Sequence, residues 1–294
     1  MPEWSAEHLV DEGLARRLIV EQCFEPSSLS LLGEGWDNTV WLVDGRWAFR
    51  FPRRTIALPG VQRELAVLGE LAPQVPLPIP VPKWVGEPSE AFPWPFFGAE
   101  AIEGRELADA ELSHDARCAL GRPLGRFLRG LHDARVSVEL PYDPMGRGTM
   151  ETRVPKTLDA LARIDHLWSM PDEVRDALHD AARLVAGVYD HPVVVHGDLH
   201  ARHLLVRDEV LAGVIDWGDV CSGDPAIDLA LCWYALPPDG RAEFFAAYGR
   251  VSETQLLRAR VLALFMCATL VLHGTHEGLD GVVREALSGL ERSA

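Results

Sequence analysis

Two carboxylates and an imidazole carry the strongest chemical signal in this 294-residue chain. In His196-Gly197-Asp198-Leu199-His200-Ala201-Arg202-His203, one acid and three imidazoles follow three valines and precede Leu204-Leu205-Val206. Asp216 comes 18 residues after Asp198, at the end of a second apolar run, Val214-Ile215. A strand, a turn at Arg207-Asp208-Glu209 and a return strand would bring Asp198, His203 and Asp216 to one end of a small hairpin. That convergence is costly unless a cation joins it. A divalent metal with a phosphate ligand suits it. Taken singly, each aspartate reads equally well as a turn or capping residue; both segments at this spacing argue for the site.

The elements that must position these groups follow from the hydrophobic pattern. Residues 6–20 read as a short amphipathic helix. Thr39 to Val43 and Trp47 to Phe51 are β-rich runs joined by Asp44-Gly45-Arg46, a hairpin signal. A helix is expected over about 61–72, and the proline-rich stretch from Pro73 to Pro95 reads as an extended, irregular connector. Phe96 to Ile102 looks like a buried strand ended by Glu103-Gly104. The pattern is then mostly helical to Asp190. Short strands are expected at Val193–Val195, in the run from His203 to Val206 and over Val210–Ile215, with helices after Asp228. The expected organisation is therefore α+β: a small antiparallel-sheet lobe with a helix over 1–101, and a larger, mainly helical lobe over 102–294. A hinge is expected near 98–104.

Composition narrows the partners. Lys plus Arg total 28 against 44 Asp plus Glu, a formal charge of −16. Such a surface repels nucleic acid and favours a cationic small molecule. The longest apolar run, Val261 to Leu272, suits a buried helix and is short for a bilayer span. The acidic start lacks the pattern of a signal peptide. Cysteines 23, 118, 221, 232 and 267 are odd in number and without paired spacing, which fits free thiols in a reducing cytoplasm. Oligomeric state, monomer or homodimer, is open.

His196-Gly-Asp-Leu-His200, Ile215-Asp216-Trp217 and the run from Gly223 to Ala230 resemble the catalytic loop, metal loop and following helix of the aminoglycoside phosphotransferase family, relatives of protein kinases. The resemblance spans about residues 28–290. It implies a bilobal kinase-like fold and transfer of a phosphoryl group from ATP or GTP, with Mg2+, to a hydroxyl of an aminoglycoside or macrolide. Asp198 would be the base and Asp216 a magnesium ligand. The second metal ligand, usually Asn, is here His203, as in macrolide phosphotransferases. An imidazole is a softer donor than an amide oxygen, which bears on metal preference. His196 would hold the loop by hydrogen bonds, and Asp228 would brace its amides.

On the nucleotide side, Gly33, Gly35 and Asn38 lie in a stretch that resembles the phosphate-covering loop, with Asn38 where a third glycine would be. The usual strand lysine is missing, since no lysine precedes Lys83. Strand alternation puts Ala48 and Arg50 on one face, and Arg50 is the candidate for that role. Glu64 falls within the apolar stripe of Val61, Leu65 and Leu68, so it needs a buried partner, and Arg50 is the obvious one. Glu100 to Ile102 would offer hinge backbone groups to the base. On the acceptor side the candidates are Asp219, Trp233, Tyr234, His273, His276 and Glu277. Alternatives are a metabolic-alcohol kinase, a nucleotide-binding pseudokinase, and a zinc hydrolase built on His196, His200 and His203.

Overall fold

The computed structural model describes residues 6–35, 37–184 and 191–294. The last residues of the expected helical stretch before Asp190, and Trp36 of the glycine loop, lie outside the described residues. Helix α1 (Glu12–Gln22) starts later than the pattern suggests, because the Asp11 carboxylate caps it by accepting the Leu14 N–H at 2.8 Å. An antiparallel sheet follows, with β1 (Leu29–Glu34), β2 (Asn38–Val43), β3 (Trp47–Pro52), β4 (Pro82–Gly86) and β5 (Phe96–Glu100) in the order β1-β2-β3-β5-β4. The hairpin between β2 and β3 turns at the expected place, with Asp44 and Gly45 at φ 53° and 64°.

Strand β4 corrects the expectation of an irregular connector over 73–95. Proline is tolerated there because Pro82 opens the strand and the strand lies at the sheet edge. One sheet face buries Trp41, Val43, Phe49, Phe51 and Phe96 against Leu18 and Ile19 of α1. The opposite face packs Phe97 and Ala99 against Val61 and Leu65 of helix α2 (Leu58–Leu71). Residue 50 therefore faces α2, one strand position away from Phe49 and Phe51.

The rest of the chain is mainly helical. It contains β6 (Arg105–Glu106), α3 (His114–Ala119), α4 (Gly121–Asp133), α5 (Met150–Arg163) and α6 (Asp172–Ala181). Short strands β7 (Val193–Val195), β8 (Leu204–Arg207), β9 (Val210–Val214) and β10 (Cys221–Gly223) come next, then α7 (Ala226–Ala235), α8 (Pro238–Tyr248), α9 (Glu253–Glu277) and α10 (Asp280–Ser293). β8 pairs with β9 as expected, and β7 pairs antiparallel with β10. The 25-residue α9 is long and apolar enough by length and composition to cross a membrane, more than its 12-residue apolar run suggests. Here it packs among α5, α7 and α10, with half of its most apolar stretch buried. Sheet lobe and helical lobe together make an α+β, kinase-like fold.

Candidate active site

The pairing of β7 with β10 fixes where the 196–203 loop begins. The Asp228 carboxylate, fully buried in the first turn of α7, accepts the backbone N–H of His196 at 2.7 Å and of Gly197 at 3.1 Å. Gly197 sits at φ 88°, and a Cβ there would lie 2.3 Å from the Asp219 carbonyl oxygen, so only glycine fits. The Tyr234 hydroxyl donates to the Leu199 carbonyl at 2.9 Å. Tyr234, a candidate for acceptor contact, is thus a buried brace under the loop.

Hydrogen bonding sets the three imidazole tautomers. His196 Nε2–H donates to the Ile215 carbonyl at 3.0 Å, and its Nδ1 accepts the Asp198 N–H at 3.3 Å. Burial lowers its pKa, which agrees with a neutral ring. His200 Nδ1 accepts the Arg202 N–H at 3.2 Å, which leaves the proton on Nε2; burial and then His203 hold this ring well below the usual imidazole range. His203 Nδ1–H donates to the Asp198 carbonyl at 2.8 Å, which directs its Nε2 at Asp216 Oδ2, 3.3 Å away; a protonated ring donates Nε2–H to that carboxylate, and a neutral ring has its lone pair there. Desolvation opposes a charge on His203, but Asp216 and Asp198 outweigh it and raise its pKa.

These tautomers bear on metal ligation. Donor atoms of Asp198, His200 and His203 lie within 4.8 Å of one another. Even so, His200 Nε2 carries its proton and His196 Nε2 is spent on a carbonyl. A three-histidine zinc site does not fit that donor set. His203 Nε2 with the Asp216 carboxylate does fit one divalent cation, because the ring is oriented by the hydrogen bond at its other nitrogen.

Asp216 itself adopts a left-handed backbone at φ 64° at the end of the β8–β9 hairpin, which turns its carboxylate into the cleft. Arg50 Nη2 donates to Asp216 Oδ1 at 2.6 Å, and Arg50 Nη1 to Glu64 Oε1 at 2.7 Å. One guanidinium thus ties β3 to α2 and to the 214–219 segment. Partial desolvation would raise the Asp216 carboxyl, yet Arg50 and His203 hold it well below the usual range. Glu64 is fully buried and also accepts the Trp217 N–H at 3.2 Å. Burial raises its carboxyl to about 7 against the pull of Arg50, which itself stays charged.

The glycine loop is held by contacts that the sequence pattern does not announce. Gly35 N–H donates to the Asn38 carbonyl at 2.9 Å, Arg53 donates to the Gly35 carbonyl at 2.8 Å, and Arg54 pairs with Asp37. Asn38 is buried, and Gly33 has open space where a side chain would stand. At the link between lobes, exposed Glu100 pairs with Arg46 at 3.2 Å. The Ala101 N–H is spent on the Arg46 carbonyl at 2.7 Å. Ile102 packs on Gly213 of β9, where a Cβ would lie 2.8 Å from Ile102 Cγ2.

The acceptor candidates separate. Asp219 lies beside the loop, its Oδ2 accepting from Arg147 Nη2 at 2.7 Å; the same nitrogen reaches Asp198 Oδ1 at 3.2 Å. Arg147 was not among the sequence candidates, since it is 51 residues from Asp198 in the chain. His273, His276 and Glu277 line an open cavity of about 640 Å³ between α5 and α9, together with Lys156, Asp159 and Phe265. Trp233 is not brought to this place. Its ring packs under the guanidiniums of Arg241 and Arg260, at 4.7 and 5.7 Å, because the inner face of α7 is covered by the C-terminal helices.

A sheet lobe over a helical lobe, with an Arg–Glu pair, a histidine–aspartate pair and a further aspartate in the cleft, defines a kinase-like phosphotransferase. Residues 28–263 match the model of the phosphotransferase enzyme family, and the chain belongs to that family. Solved structures agree in fold. A GDP complex of aminoglycoside 2'-phosphotransferase-IIIa is 23% identical with TM-score 0.67, over 96% of this chain and 98% of that one. The GDP and kanamycin complex of APH(2")-IIIa is 23% identical with TM-score 0.65, over 94% and 97%. The macrolide 2'-phosphotransferase MphH from Brachybacterium faecium is 21% identical with TM-score 0.59, over 94% and 97%.

Proposed function

We propose that the chain is an antibiotic kinase that transfers the γ-phosphoryl group of ATP or GTP to a hydroxyl of an amino-sugar antibiotic, an aminoglycoside or a macrolide. The observation that carries this is the arrangement of Asp198, His203 and Asp216 in one cleft, with Arg50 and Glu64 closing it from the sheet lobe. The sheet lobe, residues 1–101, with Gly33, Gly35 and Asn38 over the phosphates and Glu100 to Ile102 at the base, takes the nucleotide. The 102–294 lobe takes the acceptor.

In this reading Asp198 accepts the acceptor hydroxyl proton. The acceptor oxygen bonds to the γ-phosphorus while the bond from that phosphorus to the β–γ bridging oxygen breaks, and nucleoside diphosphate leaves. His203 Nε2 and Asp216 would hold the magnesium, which supplies charge neutralisation on the phosphates. Arg50 grips phosphate oxygens, and its buried bond to Glu64 keeps its direction fixed. The cavity between α5 and α9 seats the acceptor: Asp159 and Glu277 attract amines, and Phe265 and Leu272 cover apolar ring surface. Asp219 stands beside the base, sharing Arg147 Nη2 with it. The free cysteines suit a reducing compartment such as the cytoplasm.

The test is mass spectrometry of antibiotic and amino-alcohol mixtures incubated with the chain, magnesium and ATP or GTP. Phosphorylated aminoglycoside or macrolide is expected with wild type. With Asp198→Asn, product formation should fall by roughly 10²–10⁴ while nucleotide binding holds. Phosphorylation of only simple amino alcohols would reassign the acceptor. Nucleotide binding without any transfer would identify a pseudokinase.

A further inference from the structure

We propose that Arg147 is a positioning residue for the base: it fixes the carboxylate of Asp198 so that Oδ2, not Oδ1, faces the acceptor hydroxyl. This rests on the phosphoryl-transfer reading above and deepens it. The Arg147 side chain is only 20% exposed, and its Nη2 is shared between Asp198 Oδ1 and Asp219 Oδ2 at 3.2 and 2.7 Å. With Oδ1 engaged in this way, the second oxygen is left to receive a proton. Oδ2 lies 3.7 Å from His200 Nε2, beyond hydrogen-bond distance.

The segment that carries Arg147 is built to hold it still. The two oxygens of Asp143 accept the N–H groups of Arg147 and Gly148, each at 2.8 Å. Asp143 N–H in turn donates to the Ser222 carbonyl at 2.8 Å, on β10, the partner strand of β7 that leads into the base loop. Gly146 turns the chain at φ 59°. Arg153 reaches back from α5 to the Arg147 carbonyl at 3.3 Å, and its guanidinium lies 4.3 Å from the Phe265 ring of the acceptor cavity. Arg147 therefore connects the strand that delivers the base with the wall of the cavity.

Charge gives the arrangement a second effect. Asp198 and Asp219 bring two carboxylates to one cation, and without that cation they would repel. Asp198 would then swing away from Asp219, towards His200 Nε2 now 3.7 Å from its Oδ2, and lose its aim at the acceptor. A misplacement of about 1 Å in a reacting group costs up to about a hundredfold in rate.

The experiment compares wild type, Arg147→Ala and Arg147→Lys in steady-state transfer. Arg147→Ala should lower kcat by about tenfold to a hundredfold, with nucleotide affinity and acceptor KM within about threefold. Arg147→Lys, which keeps the charge without the planar fork, should recover part of the loss. A loss confined to acceptor KM, or an unchanged kcat, overturns the proposal.

An acceptor-independent arm is a double-mutant cycle of Arg147→Ala and Asp198→Asn in urea unfolding. Coupling of at least about threefold in the unfolding constant is expected, and additive effects overturn the pairing. If wild type transfers phosphate to nothing, the functional reading falls while this cycle still decides whether Arg147 holds Asp198.

Discussion

Removing Arg50 should destabilise the protein in a way that depends steeply on pH. Arg50→Ala leaves Glu64, at 0% exposure, with one backbone donor at 3.2 Å. Stripping one partner from a buried ion pair costs roughly 3–5 kcal/mol when the remaining charge stays ionised. Glu64 has an escape, because burial already raises its carboxyl to about 7, and losing Arg50 raises it further. A carboxyl whose pKa is raised in the folded state contributes most below its unfolded pKa, and that contribution is lost as pH climbs through the folded pKa. At about pH 5.5 the variant therefore buries a neutral acid, at a cost of roughly 1–3 kcal/mol. At about pH 8.5 it must bury a charge or open the helix–sheet contact, at the full cost. Urea unfolding at the two pH values should thus show a penalty about 2 kcal/mol larger on the alkaline side. Adding Glu64→Gln should return much of the alkaline loss. Equal penalties at both pH values, or further loss on adding Glu64→Gln, would refute the reasoning.

Asp228→Ala removes the acceptor for two loop amides and for His132 Nε2 at 3.3 Å, all buried; a loss of about 3 kcal/mol in thermal or urea unfolding is expected. His203→Asn exchanges a nitrogen donor for an oxygen donor, so the preference for manganese over magnesium, read from metal titrations of nucleotide binding, should shift towards magnesium. Because Asp216 and Asp198 raise the His203 pKa and a metal binds only the neutral ring, metal affinity should fall as pH drops through that raised value. The Asn variant should lose that dependence, and a persistent dependence would assign it to another group.

Local chemistry announced the parts of the site that lie close in sequence or on a clear periodicity. Strand alternation around Arg50 and the charged interruption of the α2 stripe at Glu64 led to a pair that meets at 2.7 Å. The β8–β9 hairpin followed from two apolar runs and a polar turn. Strand β4 was missed because prolines argue against strands, and only its edge position makes them tolerable. Strand β10 was missed because Cys-Ser-Gly has neither length nor alternation; β7 supplies its pairing. Arg147 gave no local signal, since both its partners come from other segments. Trp233 and Tyr234 were weak candidates, since an aromatic pair on an apolar helix is more often core; Tyr234 is buried and Trp233 is partly buried beneath Arg241.

In the proposed function, His203 and Asp216 hold a nucleotide-borne divalent cation beside Asp198. Pulsed electron paramagnetic resonance of the manganese–nucleotide complex tests it directly. Nitrogen modulation from one directly bound imidazole is expected in wild type and its loss in His203→Asn, together with weakened metal-nucleotide binding in Asp216→Ala. A wild-type spectrum without imidazole modulation, or one unchanged by the His203 substitution, would contradict it.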